Sequence, residues 1–275
     1  MMTKIKKSNY TIFYKDLKKY SLEYAVKHTV DIGFDAVEIF DVARPSQWLG
    51  DEDSFLKLKD LLASNNLGLS CYSVAINLLG DDIDDVMERT RRHIVNAARL
   101  GSPYFHHTLV PSLKFSNLEL SFDSVFERVI DNAEKIASLC NENGLVCLYE
   151  PQGAYFNGVS RLRFLLEEIR NRGYNAGVCG DMGNSLFADC KPSDIFKEFS
   201  ADIKHIHVKD YRVYEEEREN AYVSLGGKYL VPVSVGEGDA DIKRCMSYVK
   251  GYDGYFSIES EESDEKLGQI ESCLI

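Results

Sequence analysis

Four apolar runs in the second half of the sequence carry, at or near their ends, side chains that ionise or bind metals. These side chains are Glu150, Asp181, the pair His205 and His207, and Glu259. Each follows residues typical of a buried strand, where an unpaired charge is costly. Two glutamates, one aspartate and one neutral imidazole form a mostly hard set of ligands, as expected for Mn²⁺, Mg²⁺ or Co²⁺ rather than for a thiolate-rich zinc site. The sequence therefore predicts a divalent metal site, if the fold brings these ends together.

The elements that would position these residues alternate along the whole chain. Short apolar runs predict eight strands, at 10–14, 35–40, 68–76, 103–110, 144–150, 175–181, 203–208 and 254–259. Amphipathic patterns predict helices between them, among them 21–33, 122–144, 160–173, 238–251 and a last one at 263–275. Ser21 and Asp239 are the predicted N-caps of two of these helices, and Gly33 is the predicted end of one.

Strands that alternate with helices pair in parallel through right-handed crossovers. Eight such units in 275 residues predict an α/β fold, a closed (β/α)₈ TIM barrel that forms a single domain over residues 1–275. The carboxyl ends of the strands meet at one face of such a barrel, where active sites are built, so the four strand ends should converge there. The longest irregular segment, residues 210–239, is expected at the same face, and a loop of this length usually has a function.

Composition and charge exclude some classes of partner. The chain has 44% hydrophobic residues, a net charge of −12 and a pI of about 5.0, so it should repel phosphate backbones and no nucleic acid partner is expected. The sequence shows no apolar run long enough to span a bilayer and no signal-peptide pattern, so no membrane association is expected. Seven cysteines, an odd number without a CxxC pair, indicate reduced core thiols in a cytoplasmic protein.

Six segments, in order along the chain, carry a resemblance to a known family. They are GFDAVEIF (33–40), LYEP (148–151), GDMGN (180–184), HIHVKD (205–210), VGEGDAD (235–241) and GYDGYFSIESE (251–261). The ordered set resembles the xylose-isomerase-like TIM barrel superfamily, in particular its sugar phosphate isomerase/epimerase branch with the ketose 3-epimerases. The resemblance covers essentially the whole chain. It implies that the metal ligands are Glu150, Asp181, His207 and Glu259.

The resemblance selects the second histidine of the HxH pair, and the geometry of a strand agrees. Residues i and i+2 of a strand share a face and lie roughly 6.6 Å apart along the chain. His207 is nearer the carboxyl end and should reach the mouth of the barrel. His205 should lie one layer deeper, as a core histidine or as a partner that orients a ligand.

The resemblance also implies the chemistry. One divalent ion per chain, with Mn²⁺ expected and Mg²⁺, Co²⁺ or Zn²⁺ as alternatives, would polarise the carbonyl and adjacent hydroxyl of a sugar and stabilise an enediolate. In ketose 3-epimerases two metal-bound glutamates face opposite sides of the reacting carbon, and these correspond to Glu150 and Glu259. One would remove the proton beside the carbonyl and the other would return it to the opposite face. The implied protein is a sugar isomerase or epimerase that acts on a ketose or a related polyol.

Six further residues are candidates for contacts with the substrate. They are His106, Asn184, Arg212, Lys209, Glu38 and Trp48. His106 and His107 end the fourth predicted strand, and alternation sends only one of them inward. Glu38, at the predicted end of the second strand, could bind sugar hydroxyls or pair structurally. Trp48 could stack on a sugar ring or pack within its own loop, and the two cations could be solvated loop charges.

Two departures from the family pattern concern the substrate pocket. PQGAYFNG follows Glu150, without the continuation typical of 3-epimerases of free sugars, and Asn184 stands where the family often has histidine. The GEGD turn (236–239) has acidic residues around it, which would repel phosphate. The expected substrate is therefore an unphosphorylated sugar or polyol.

Three other functions are compatible with the same residues. A metal-dependent lyase or dehydratase acting on an inosose or a 3-oxo-sugar would use the same acidified C–H bond but expel a leaving group from the neighbouring carbon. A nuclease of the apurinic endonuclease type would need more histidines, and SVAINLLG (73–80) at the end of the third strand has none. A non-catalytic sugar-binding barrel would keep the carboxylates without turnover. A homo-oligomer is also compatible with the sequence.

Overall fold

The computed structural model describes residues 5–42, 52–80, 82–111, 120–260, 262–267 and 270–274. Its strands are β1 (Lys6–Asn9), β2 (Ala36–Val42), β3 (Gly68–Ala75), β4 (Tyr104–His107), β5 (Val146–Tyr149), β6 (Ala176–Asp181), β7 (Ile203–Val208), β8 (Asp210–Tyr214), β9 (Tyr222–Val223), β10 (Tyr229–Val233) and β11 (Tyr255–Ile258). Eight of them are parallel and close into a barrel in the order β1-β11-β7-β6-β5-β4-β3-β2. The predicted (β/α)₈ barrel is confirmed.

Helices surround the barrel and follow its strands. They are α1 (Thr11–Lys19), α2 (Leu22–Asp31), α3 (Glu52–Ser64), α4 (Ile83–Leu100), α5 (Phe122–Glu142), α6 (Val159–Asn171), α7 (Pro192–Glu198), α8 (Ile242–Tyr248), α9 (Asp264–Leu267) and α10 (Ile270–Cys273), with a 3₁₀ helix at Asn184–Ala188. The predicted start of α2 is confirmed, since Oγ of Ser21 accepts a hydrogen bond from the amide of Tyr24. Gly33 has φ of +80° and follows the end of that helix.

Two apolar layers hold the barrel together. The larger one lies between strands and helices, where outward residues such as Val37, Phe105 and Ile206 are fully buried. A smaller cluster of Cys71, Leu148 and Cys179 is also fully buried. Leu148 precedes the candidate ligand Glu150 by two positions, and Cys179 precedes Asp181 in the same way, so each shares its ligand's face of the strand. An apolar layer therefore lies directly beneath the polar residues at the mouth of the barrel.

The first strand lies earlier than the sequence predicts. Residues 10–14 were expected to form it, but β1 is Lys6–Asn9 and Thr11–Lys19 is a helix. The strand has no apolar residue that could mark it, and its fully buried Ser8 instead shares a hydrogen bond with the hydroxyl of Ser70. Oδ1 of Asn9 accepts a hydrogen bond from the amide of Phe13, which supports the first turn of α1.

The segment 210–239 is more regular than predicted. It contains a three-stranded antiparallel sheet in the order β8-β10-β9. The carboxylate of Asp210 accepts hydrogen bonds from the amides of Gly236, Gly238 and Ala240, which ties the GEGD turn to the start of β8. A β-carbon at position 238 would overlap the Asp210 carboxylate, so this turn depends on glycine.

Two predicted helices also differ from the structure. Asp239 does not cap α8, because the helix begins at Ile242 and Oδ2 of Asp239 accepts a hydrogen bond from the amide of Val213. The tail predicted as one helix over 263–275 contains the two short helices α9 and α10. None of the seven cysteines, all of which are described, forms a disulfide. Within the described ranges, no helix has the length and apolar character needed to cross a membrane.

Candidate metal centre

The four side chains predicted as metal ligands meet at the carboxyl end of the barrel. Asp181 ends β6 and His207 lies near the end of β7, while Glu150 and Glu259 directly follow β5 and β11. Nδ1 of His207 lies 3.3 Å from Oε2 of Glu150, 3.7 Å from Oδ2 of Asp181 and 3.3 Å from Oε2 of Glu259. All are buried except the side chain of Glu259, which is 23% exposed and faces the mouth. The fold thus brings the set together, and its binding of a metal stays a prediction.

A buried carboxylate on β2 holds the His207 ring in place. Oε1 of Glu38 lies 3.0 Å from Nε2 of His207, and Oε2 of Glu38 lies 2.7 Å from Nε2 of His205. Ser73 on β3 donates its hydroxyl to Oε1 of Glu38. Burial opposes charge on Glu38, but the two histidines outweigh it and hold the pKa of this carboxyl well below its usual value. To bind a metal, His207 would keep its proton on Nε2 beside Glu38 and offer the lone pair of Nδ1, which faces the other carboxylates.

The atoms that face one another in the cluster need a cation between them. Nδ1 of His207 and Oε2 of Glu150 are buried, and neither makes a hydrogen bond with any described residue. Lone pairs and carboxylate charges packed in this way repel one another unless a proton, an ammonium group or a metal ion intervenes. Ligand atoms of Asp181, His207 and Glu259 also lie within 4.8 Å of one another. The residues present therefore fit a divalent metal ion with three carboxylates and one imidazole as ligands.

The two glutamates of the cluster lie in different electrostatic surroundings. Burial works against the charge of Glu150, but the imidazoles of His106 and His207 outweigh it and hold the pKa of Glu150 well below its usual value. Desolvation raises the pKa of Glu259, although the ammonium of Lys209 opposes this effect. The environments thus favour the ionised form of Glu150 more strongly than that of Glu259.

His106 lies in the cluster and His107 does not. Nε2 of His106 lies 3.3 Å from Oε1 of Glu150, and its Nδ1 lies 3.1 Å from the hydroxyl of Ser73. The side chain of His107 points to the helices, where Nδ1 donates to the carbonyl of Thr108. Alternation along β4 separates the two residues as expected. Ser73 also bonds to the carboxylate on β2, so hydrogen bonds connect His106 to Glu38, and the close approach of the His106 ring brings Glu150 next to this network.

Lys209 and Asn184 lie beside the ligand set. Nζ of Lys209 is 2.9 Å from Oδ2 of Asp181 and 2.8 Å from Oε2 of Glu259. The backbone amide of Asn184 donates a hydrogen bond of 2.6 Å to Oδ1 of Asp181. The side-chain nitrogen Nδ2 of Asn184 is buried and makes no hydrogen bond with any described residue. An amide nitrogen in this state is suited to a substrate oxygen.

Glu38 and Arg212, two of the other three substrate candidates, have partners of their own in the structure. Glu38 is not at the end of its strand, since β2 continues to residue 42. Its carboxylate already makes hydrogen bonds with two histidines and a serine. Arg212 lies on the added sheet, where it donates to the carbonyl of Glu237 and approaches Asp239. The prediction for Trp48 lies outside the described residues.

Two residues near the site escaped the sequence analysis. Tyr10 follows β1 at the mouth, and its ring centre lies 5.4 Å from that of His207. Burial, with the nearby Glu259 and Glu38, raises the pKa of Tyr10 well above its usual value. Ser73 links His106 to Glu38. A correct assignment of β1 would have placed Tyr10 at a strand end, but no local signal marks Ser73.

Glu38→Gln is expected to lower metal affinity by about 10–100-fold, because the carboxylate that orients His207 and raises its basicity is lost. Titration calorimetry with Mn²⁺ on the purified variant measures this effect. Glu127→Gln on the exposed side of α5 is the matched control. Unchanged affinity in Glu38→Gln would show that the carboxylate does not support the metal site.

The fold and the cluster define a class of protein, namely a (β/α)₈ barrel with three carboxylates and one histidine at the mouth. The chain belongs to the xylose isomerase-like TIM barrel family, whose model matches residues 26–273. A curated relative, inosose dehydratase of Lacticaseibacillus casei, is 25% identical over 164 residues, which cover 55% of this chain and 52% of the relative. The chain thus spans about half the length of the curated relatives it matches.

Solved structures with the same fold include enzymes of two reaction types. The probable 3-DHS dehydratase of Bacillus anthracis has a TM-score of 0.74 and 17% identity, with 98% of each chain covered. The 3-keto-D-glucoside 4-epimerase of E. coli has a TM-score of 0.70 and 15% identity, with 99% of this chain and 100% of that chain covered. A barrel from Mycobacterium smegmatis solved with magnesium has a TM-score of 0.71 and 13% identity, with coverage of 100% and 97%. At these identities the structures show the fold alone.

Proposed function

We propose that this protein is a divalent-metal-dependent sugar isomerase or epimerase, which removes a proton beside the carbonyl of an unphosphorylated ketose or related polyol. One observation carries the proposal. Nδ1 of His207 has a carboxylate oxygen within 3.7 Å from each of Glu150, Asp181 and Glu259. This cluster lies at the barrel face where the fold builds active sites.

The ligand set supports metal assistance. Asp181, His207 and the two glutamates would hold the ion, which Mn²⁺ or Mg²⁺ suits best among the hard divalent metals. When bound, it would supply Lewis acidity at the carbonyl oxygen of the substrate. The buried carboxylate on β2 would keep the imidazole oriented.

The proton transfers fall to the two glutamates. Glu150 and Glu259 come from non-adjacent strands, β5 and β11, and both carboxylates lie 3.3 Å from the same imidazole nitrogen. One carboxylate takes the proton from carbon, and the electron pair of the C–H bond moves into the enediolate. The other carboxylic acid returns a proton to the opposite face, which inverts the carbon. Nδ2 of Asn184 and the imidazole of His106 are suited to hold substrate hydroxyls beside this pair.

A dehydratase is the second candidate, favoured by the curated relatives. The first proton transfer would be the same, but the electron pair of the enediolate would then expel a hydroxide from the neighbouring carbon. An acid in the site would protonate this group as it leaves as water. The inosose dehydratase relatives and the solved 3-DHS dehydratase make an inosose or a similar cyclic ketone the substrate to test.

Incubation with Mn²⁺ in D₂O tests both candidates at once. The panel consists of free ketoses, an inosose and a 3-oxo-glucoside, and products are followed by mass spectrometry and NMR. An epimerase yields an isomer of the substrate with deuterium at the inverted carbon. A dehydratase yields a product that has lost one water. If no substrate exchanges its proton or reacts with any of Mn²⁺, Mg²⁺, Co²⁺ or Zn²⁺, the proposed function is wrong.

A further inference from the structure

Lys209 occupies an unusual place for a lysine. It lies directly after β7, two residues beyond His207 and therefore on the same inward side. Its side chain is only 8% exposed, and its ammonium group lies 2.9 Å from Oδ2 of Asp181 and 2.8 Å from Oε2 of Glu259. These are the same two oxygen atoms that approach Nδ1 of His207. The ammonium therefore bridges two of the residues that would hold the predicted metal.

The surrounding residues hold the lysine in this position. Its aliphatic stem passes so close to Gly183 that a β-carbon there would lie 2.8 Å from Cγ of Lys209 and 2.8 Å from the ring of Tyr211. Gly183 lies in the turn that Asp181 anchors, and its amide donates a hydrogen bond to Oδ1 of Asp181. The position is thus built by residues of three segments and is not a chance contact of a flexible side chain.

We propose that Lys209 is an internal cation that holds Asp181 and Glu259 together before a metal arrives, and that the metal displaces it from these two oxygens. The inference rests on the proposed metal site. Without a cation, the carboxylates of Glu150, Asp181 and Glu259 would repel one another across a buried space, and the lysine prevents this. A divalent ion bound to the same oxygens would repel the ammonium at short range. The ammonium then moves towards the mouth, where the partly exposed Glu259 lies, and can meet a substrate oxygen.

Metal affinity gives the first test. Lys209→Met keeps the length and apolar stem of the side chain but removes the charge, and its thioether is a poor ligand for Mg²⁺ and Mn²⁺. Titration calorimetry should show at least about tenfold tighter binding of both ions to this variant than to the wild type. Lys204→Met is the matched control, since Lys204 lies on β7, the strand that precedes Lys209, but is exposed and donates to the carbonyl of Ala201. Its affinity should equal that of the wild type.

Acetylation of the wild-type protein gives the second test and requires no variant. Lys209 should react slowly with acetic anhydride in chelator-treated protein and several times faster after addition of Mg²⁺, as read by peptide mass spectrometry. Lys204 should react equally in both states. If Lys209→Met binds metal more tightly but Mg²⁺ does not speed the acetylation of Lys209 in the wild type, the metal does not displace the lysine. If Lys209→Met binds metal no more tightly than Lys204→Met does, Lys209 does not compete with the metal.

The two proposals fail in distinguishable ways. If the wild-type protein and Lys209→Met both bind no divalent metal, the proposed function and this inference are both wrong. If the wild type binds metal and Lys209→Met binds it no more tightly, only the inference is wrong. If Lys209→Met binds a divalent metal and the wild type does not, the displacement of the lysine by metal is wrong, and so is the proposed metal-dependent function of the wild type.

Discussion

Replacing Glu150 or Glu259 by glutamine is expected to lower turnover by about 10²–10⁴-fold, the usual contribution of a general acid or base. Glutamine keeps the size of the side chain and one carbonyl oxygen, but it cannot accept a proton at the substrate carbon. The loss should appear in kcat and in kcat/KM alike, because the affected step is a proton transfer in the transition state. Steady-state kinetics with the substrate found by the panel measure it.

The two variants should differ in one respect. Only one of the two glutamates faces the C–H bond of a given substrate. The variant that keeps this glutamate should therefore exchange the substrate proton with D₂O without forming product. NMR of the recovered substrate detects this exchange. Metal content must be measured in both variants, since Glu150 and Glu259 are also predicted ligands, and Glu127→Gln on α5 serves as the matched control.

Two outcomes would contradict the proton-transfer mechanism. If both glutamine variants had the wild-type kcat, neither glutamate would take part in the proton transfers. Product formed by the wild type without any deuterium from solvent would exclude an enediolate that exchanges with water. That result would indicate a hydride shift between adjacent carbons.

Asp181→Ala is expected to abolish tight metal binding. Asp181 is fully buried, and its Oδ2 lies 3.7 Å from Nδ1 of His207, so alanine removes a predicted ligand from the cluster and supplies no replacement. Elemental analysis should find about one divalent ion per chain in the wild type and far less in the variant. Asp181→Asn removes the charge but keeps an Oδ1 acceptor for the amides of Gly183 and Asn184, and thus separates metal loss from damage to the turn.

Thermal unfolding with and without a chelator measures the same site independently. A metal present at a hundred times its Kd stabilises a protein by about 2.7 kcal/mol, so the chelator should lower the Tm of the wild type but not that of Asp181→Ala. Asp253→Ala, at an exposed aspartate, is the control and should behave as the wild type. Equal metal content in Asp181→Ala and the wild type would show that Asp181 is not a ligand.

The sequence by itself determined the barrel and the position of the predicted ligands along it. Seven of the eight strands lie where apolar runs predict them, because burial on both faces of a parallel strand leaves a nearly continuous apolar signal. Alternation along β7 put His205 and His207 on one side, and alternation along β4 separated His106 from His107. Such patterns are local, so one sequence is enough to read them.

Only the tertiary structure decided which side chains meet. Glu38 contacts His207 across 169 residues of chain, and this contact depends on how the barrel closes, which no local pattern encodes. The strand β1 was mislocated because its buried face is polar and pairs with Ser70. The added sheet at 210–239 was missed because short antiparallel strands at a surface carry mixed side chains. In the sequence Lys209 is compatible with a substrate contact or with a solvated loop charge, and only the approach of β6 and of the residue after β11 makes it a buried cation between two carboxylates.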